Sequence, residues 1–456
     1  MSELSCFKSY DIRGQLGVNL DAEILTRVGR AFAQVMRPNI VVLGRDIRES
    51  SPVLQDALAE GLMSGGVDVI DIGLCGTEEV YFATDYFTAQ GGLMVTASHN
   101  PIDYNGVKMV RDESRPISGD NGLREIHDLA ASGDFAPVRE SDRGSRNSAD
   151  PRPAYVERVL SFIDVSTLRP LKILVNAGNG VAGPAFDAIA ARLAELGAPL
   201  EFIRMHHDPD SSFPNGIPNP LLPENQPVTA EAVKDHGADF GVAWDGDFDR
   251  CFLFDETGAF IDGEYIVGLL AAAFLATESG ARIVHDPRVM WNTLDVVGKG
   301  GGEAVVSRTG HALIKAKMRE VDAVYGGEMS AHHYFRNFMY CDSGMIPWLK
   351  VAEHMSMTGQ SLSALVAQMR ADFPSSGEIN FRLDDADAAL ARIEAEYGPQ
   401  AQGTDRLDGL SLDFGDWRLN LRKSNTEPVL RLNAETRGDR ALLEQKVAAL
   451  RALITA

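Results

Sequence analysis

Hydrophobic positions along the chain follow two different periods. Over residues 21–36 the apolar side chains recur every three to four positions behind an aspartate suited to cap a helix, and residues 52–64 repeat the pattern. Residues 39–43, 67–72 and 91–97 are short apolar runs, expected as buried strands. This alternation predicts an α/β domain. Residues 134–153 are rich in Ser, Arg, Asp and Pro, lack periodicity and are expected as a linker. Strands are then expected at 171–175, 200–204 and 239–244, and again at 282–285, 303–306 and 322–325. The apolar run 265–276 is too short to span a bilayer and reads as a buried helix.

Beyond Phe373 the pattern changes. Residues 378–383, 410–414, 417–421 and 429–434 alternate apolar and polar positions, predicting a half-exposed antiparallel sheet, with helices at 385–397 and 440–454. The expected fold class is therefore three α/β domains, at 1–150, 151–256 and 257–372, followed by an α+β domain at 373–456. A chain of 456 residues, 45% hydrophobic, has ample material for separate cores.

Charge narrows the partners. With 65 acidic against 43 basic residues the formal charge is −22, which repels nucleic acid and anionic membranes. An anionic substrate would need local basic clusters. Cys6, Cys75, Cys251 and Cys341 form no Cys-x-x-Cys, so neither a zinc site nor a disulfide framework is indicated, and the N-terminus lacks the apolar core of a signal peptide. A cytoplasmic protein is expected.

The densest chemistry is Asp245-Gly246-Asp247-Phe248-Asp249-Arg250, just beyond the apolar run 239–244. Residues i, i+2 and i+4 of an extended segment share one face, so the three carboxylates can converge on a hard cation, Mg²⁺ first, while Gly246 permits a tight bend. An EF-hand is excluded by Arg250 at its sixth position, where glycine is required. Thr96-Ala97-Ser98-His99-Asn100-Pro101 places Ser98 on a loop after a strand, without the Gly-x-Ser-x-Gly elbow of a hydrolase. Ser98 can be a turn residue or the carrier of a phosphoryl group, whose charge Lys108 and the aspartate-bound metal would offset.

Three further motifs stand out. Arg422-Lys423-Ser424-Asn425-Thr426-Glu427-Pro428, with Arg431 following, combines cations and small donors in a plausible phosphate cradle. Gly327-Glu328-Met329-Ser330-Ala331-His332-His333 groups residues suited to sugar hydroxyls; its adjacent histidines, pointing oppositely in extended chain, would not share an ion. Gly178-Asn179-Gly180-Val181-Ala182-Gly183 matches a dinucleotide turn, so a rival reading is an NAD-dependent dehydrogenase. That reading leaves the other motifs without tasks.

Together with Ser9-Tyr10-Asp11-Ile12-Arg13-Gly14, the four loops at 96–101, 245–250, 327–332 and 422–428 resemble the signature loops of the α-D-phosphohexomutase superfamily, and most closely its bacterial phosphomannomutase/phosphoglucomutase group. The resemblance implies four domains in a heart shape around a central cleft, the last TBP-like, each supplying one loop. It implies Ser98 as phosphoserine, Asp245, Asp247, Asp249 and the Ser98 phosphate as Mg²⁺ ligands, and Lys108, Arg13, Arg250 and His332 as catalytic residues. Tyr10, Arg288, His311, Glu328, Ser330, Arg422, Ser424, Asn425, Thr426 and Arg431 would bind substrate. The implied reaction interconverts mannose 6-phosphate and mannose 1-phosphate through a hexose 1,6-bisphosphate, which also serves as activator, and feeds GDP-mannose synthesis. Phosphoglucomutase or dual activity is the alternative, and a monomer or homodimer is implied. Ala331 replaces a glycine common in the superfamily, and Arg288 a lysine of dual-specificity relatives.

Overall fold

The computed structural model describes residues 4–423 and 429–456. They form two compact units: residues up to Phe260 with His332–Gly359, and Ile261–Ala331 with Gln360–Ala456.

The first unit holds two mixed sheets. In one the strand order is Ile12–Gln15, Tyr104–Arg111, Gly91–Val95, Ile40–Arg45, Asp68–Leu74, Arg146–Ser148. Val41, Val42, Leu43, Leu93, Met94 and Val95 are fully buried at its centre, as the apolar runs required. The helix Ala22–Met36 starts where Asp21 accepts a hydrogen bond from the Ile24 amide. One expectation fails here. The segment expected as a linker contributes the strand Arg146–Ser148, parallel to Asp68–Leu74, and runs into the helix Arg152–Leu160. Arg146 is fixed on Asp71 at 2.7 Å, and polar side chains of this kind are how an edge strand is protected. Its composition therefore mimics a linker.

The second sheet runs Leu200–Met205, Leu171–Asn176, Phe240–Trp244, Cys251–Asp255. The last two strands are antiparallel with Cys251 opposite Trp244, so residues 245–250 are the turn of a hairpin. A further antiparallel pair, His333–Phe335 with Cys341–Asp342, belongs to this unit.

In the second unit Glu303–Val306, Arg282–His285 and Tyr325–Gly327 are parallel, and the helix Gly263–Thr277 is buried on nearly all sides. The strand expected from residue 322 begins at Tyr325, because Asp322 takes a left-handed conformation (φ 50°) that ends the preceding helix. The C-terminal sheet is antiparallel, in the order Ile379–Phe381, Leu430–Thr436, Trp417–Lys423, Leu410–Asp413, Gly403–Asp405. Leu419, Leu421, Leu430 and Leu432 pack with Ile393 and Leu450 from the helices Ala386–Tyr397 and Arg440–Ile454. The opposite face is not solvated as expected. Arg418, Asn420, Arg422, Asn433 and Glu435 are buried, and Arg418 donates to Glu435 and to the carbonyls of Pro287 and Arg288. Alternation marked a polar face; only the fold shows that it is covered. Among the described residues no helix is long and apolar enough to cross a membrane.

Candidate active site

Ser98 lies in the loop joining the antiparallel strands Gly91–Val95 and Tyr104–Arg111. It is buried and takes a left-handed conformation, φ 47°, unusual for a residue other than glycine. The surroundings hold it there. Thr96 Oγ1 accepts its amide at 2.9 Å, and its hydroxyl donates to Asp245 Oδ2 at 2.7 Å. Arg48, buried itself, donates to the carbonyls of Ser98 (2.8 Å), Asn100 (2.6 Å), Pro101 (2.8 Å) and Tyr104 (3.1 Å). Arg13 reaches Asn100 Oδ1 at 2.8 Å, and its other nitrogen Asp11 at 2.8 Å. Tyr10 lies half-buried just ahead of the strand Ile12–Gln15.

The aspartate turn packs directly on this loop. A Cβ on Gly246 would lie 2.6 Å from the Ser98 carbonyl, so glycine is required for the approach. Asp245 Oδ2 also accepts Arg250 Nη2 (2.7 Å) and Nε (2.9 Å). Lys108 Nζ bridges Asp247 Oδ2 (2.6 Å) and Asp249 Oδ2 (2.5 Å). Thr77, at the start of the helix Thr77–Tyr86, donates its hydroxyl to Asp247 Oδ2 at 2.5 Å and its amide to the Asp247 carbonyl. Arg250 also donates to Nδ1 of His99, while burial and the Arg250 charge push that imidazole down to about 3, so it stays neutral.

Burial opposes charge on all three carboxylates, and neighbours decide the outcome. Arg250 holds Asp245 well below the usual carboxylate range, and Lys108 lowers Asp247. Asp249, buried and facing Asp247, is pushed up to about 6. Burial likewise disfavours the Lys108 ammonium, but Asp247 and Asp249 outweigh it and raise its pKa. Three carboxylates against Lys108 and Arg250 leave one uncompensated negative charge. Asp247 Oδ1 and Asp249 Oδ1 are buried without a hydrogen-bond partner, and one oxygen from each of Asp245, Asp247 and Asp249 lies within 4.8 Å of the others. Three carboxylates within that reach of one another, two of them with an orphaned oxygen, fit a hard divalent cation. Asp249, His332 and Asp342 make a second such set, with His332 Nδ1 held 3.0 Å from Asp342. His333 is fully buried, and burial pushes its imidazole down to about 3.

The second unit carries a different cluster. Arg288 makes a two-point contact with Asp286 (3.0 and 2.9 Å) and reaches Ser330 Oγ at 3.3 Å, Glu378 at 3.2 Å and Glu328 at 3.7 Å. A planar guanidinium can serve these partners together, whereas a lysine would act as a point charge. Glu328 Oε1 accepts the Gly310 amide at 3.0 Å, beside the N-terminus of the helix His311–Val321. Ala331 sits at φ 70°, the backbone region that explains a glycine preference there. Arg422 and Arg431 face each other across neighbouring strands. Ser424, Asn425 and Thr426 lie outside the described residues.

The structure thus brings Ser98, Lys108, Arg250, His332 and the three aspartates together in one unit, and Arg288, Glu328, Ser330, Arg422 and Arg431 in the other. Sequence reasoning did not single out Arg48, Thr77, Asp286, Asp342 or Glu378. Arg48→Met is expected to cost about 3 kcal/mol, because four carbonyls and Asp46 lose a buried cationic partner. Urea unfolding measures it; an unchanged midpoint would show that the loop does not depend on Arg48. The dinucleotide-like turn is filled by the chain itself. Cβ atoms at Gly178, Gly180 and Gly183 would meet Pro218 at 2.3 Å, the Gly246 carbonyl at 2.8 Å and the His207 carbonyl at 2.1 Å, so these glycines serve packing.

Comparison with known proteins matches all four domains of the chain. Residues 5–137, 153–258 and 262–373 match the alpha/beta/alpha domains I, II and III of phosphoglucomutase/phosphomannomutase, and residues 378–453 match its C-terminal domain. A phosphomannomutase of Salmonella typhimurium is 60% identical over 100% of both chains. A Xanthomonas campestris protein named for phosphohexose mutases is 58% identical over 97% of each. A crystal structure of a family protein from Burkholderia thailandensis superposes with a TM-score of 0.87 at 33% identity, covering 100% of this chain and 98% of the other. The chain belongs to the phosphoglucomutase/phosphomannomutase family and carries its three alpha/beta/alpha domains and its C-terminal domain in order. It is an enzyme, an isomerase of the phosphohexomutase class acting on hexose phosphates.

Proposed function

We propose that the protein interconverts mannose 6-phosphate and mannose 1-phosphate, with Ser98 carrying the phosphoryl group that is exchanged. The observation that supports this most is the contact of the Ser98 hydroxyl with Asp245 at 2.7 Å, inside a cluster with one uncompensated negative charge. A divalent cation on Asp245, Asp247 and Asp249 would turn that charge to plus one, and a phosphoserine of about −1.5 to −2 would then leave about −0.5 to −1, against about −2.5 to −3 without the cation. Bound Mg²⁺ would stabilise charge on the transferring oxygens. Lys108, Arg250 and Arg13 supply the nearby cations.

In the forward step the bond from phosphorus to Ser98 Oγ breaks as a bond to the free O1 or O6 of the hexose phosphate forms. The hydroxyl proton leaves to a base, for which His332, oriented by Asp342, is the best-placed group; Lys108 is engaged by two carboxylates. The resulting hexose 1,6-bisphosphate turns end for end and returns its other phosphoryl group to Ser98. A trace of added bisphosphate would likewise prime dephosphorylated enzyme. Arg288, Glu328 and Ser330 would read sugar hydroxyls near His311, and Arg422 and Arg431 the phosphate that is not reacting. We assign the four domains to 1–150, 151–256, 257–372 and 373–456, and place the activity in the supply of GDP-mannose in the cytoplasm.

Turnover on mannose 1-phosphate and glucose 1-phosphate, with EDTA and after Mg²⁺ is restored, tests the reading. Mannose 1-phosphate is expected to be converted at least as well as glucose 1-phosphate, EDTA to abolish both activities and Mg²⁺ to restore them. Conversion of glucose 1-phosphate alone would move the assignment to a phosphoglucomutase. Full activity in EDTA would remove the metal.

A further inference from the structure

Arg422 and Arg431 are direct cross-strand partners, which is an unfavourable position for two like charges. Arg422 is almost wholly buried, and the buried Arg288 adds a third guanidinium. One carboxylate answers all three. Glu378, immediately before the strand Ile379–Phe381, places Oε1 3.2 Å from Arg431 Nη1, and Oε2 3.2 Å from Arg288 Nη1 and 3.6 Å from Arg422 Nη2. Its two oxygens thus span the arginines as a phosphate would, and arginine forks accept either anion. Burial and the neighbouring Arg288 lower the pKa of Arg422, while Glu378 opposes that shift, so the cluster depends on an anion. Asp286, by contrast, is committed to Arg288 and to the Met329 amide.

We propose that Glu378 is a built-in competitor for phosphate: its carboxylate holds Arg422 and Arg431 in the substrate-free protein and gives them up to the non-reacting phosphate of the substrate. The proposal rests on the reading of Arg422 and Arg431 as the phosphate cradle. Two consequences follow from charge alone. The arginines stay paired and ordered between turnovers, and phosphate-containing ligands bind less tightly than they would to the same arginines without Glu378. A single carboxylate cannot match a phosphate dianion for charge, so the exchange favours substrate over chloride or a carboxylic acid.

Inorganic phosphate is the probe, titrated calorimetrically into the full chain in EDTA, as wild type, Glu378→Gln, Arg422→Ala and the double variant. Glu378→Gln keeps the shape and removes the charge, so phosphate is expected to bind about tenfold more tightly than in wild type. That gain should vanish when Arg422 is also replaced. Phosphate should also raise the melting temperature more in Glu378→Gln than in wild type, because it replaces the missing anion. Equal or weaker binding in Glu378→Gln would overturn the competitor role and leave the cradle standing. Phosphate binding that ignores Arg422→Ala in both backgrounds would overturn the cradle itself. Should Glu378→Gln fold only when phosphate is present, the proposal gains support. Should it fold in neither condition, Glu378→Asp decides: the shorter acid reaches the arginines less well, so tighter phosphate binding than wild type supports the competitor and unchanged binding refutes it.

Discussion

Ser98→Ala is expected to lower turnover by about a thousandfold or more while the chain stays folded, since no other group beside the aspartate turn replaces a lost phosphoryl carrier. The structural cost is small. The variant forfeits one hydrogen bond to Asp245, worth about 1 kcal/mol, and Asp245 keeps its contacts with Arg250. The backbone amide bond to Thr96 and the carbonyl bond from Arg48 involve no side-chain atom of Ser98 and persist. Two measurements separate catalysis from folding. Mass spectrometry after incubation with a hexose 1,6-bisphosphate should find a phosphoryl adduct at Ser98 in wild type and none in the variant, and circular dichroism should match between them. A variant that remains active, with no adduct on the wild-type serine, would end the carrier role.

What the sequence disclosed, and what it concealed, divides along the range of the interaction. The aspartate triple was legible because alternating charges beyond an apolar strand have few structural uses, but its geometry differs from the extended segment expected: the carboxylates converge through a tight turn in which the Phe248 amide donates to the Asp245 carbonyl and Phe248 takes φ 44°. Helices with their own caps were equally legible: Asp21, Asp385 and Asp439 each accept the amide three residues on. Arg48 was not, because its role depends on carbonyls 50 to 56 residues away. Thr77 meets Asp247 across 170 residues, and nothing around Thr77 marks it as more than a helix start. Glu378 is a lone glutamate in sequence and the partner of three arginines only after folding. The strand Arg146–Ser148 was missed for a related reason: an edge strand needs charges, and charges without periodicity look like a linker. Local rules report what a segment prefers, and the residues that position the site act between segments.

Lys108→Met should leave the protein dependent on divalent metal for its stability as well as its activity. The Lys108 ammonium is the cation shared by Asp247 and Asp249, both buried, and only Arg250 on Asp245 remains when it is removed. Breaking a buried pair by deleting one partner typically costs about 3–5 kcal/mol, because the other charge stays behind unpaired. For a unit of this size that corresponds to a melting temperature lower by about 10 °C in EDTA. Asp249 can relieve part of the loss by taking up a proton, since its pKa is already pushed up to about 6 by burial and by Asp247. Mg²⁺ offers the other relief, because Asp247 Oδ1 and Asp249 Oδ1 have no competing hydrogen-bond partner. Melting curves of wild type and Lys108→Met, each in EDTA and in Mg²⁺, test the balance. The variant should recover most of its deficit in Mg²⁺ and so gain more than the wild type, which already has the Lys108 ammonium at these carboxylates. Equal Mg²⁺ shifts in both proteins, or a variant as stable as wild type in EDTA, would mean that the lysine and the metal do not compensate the same charges.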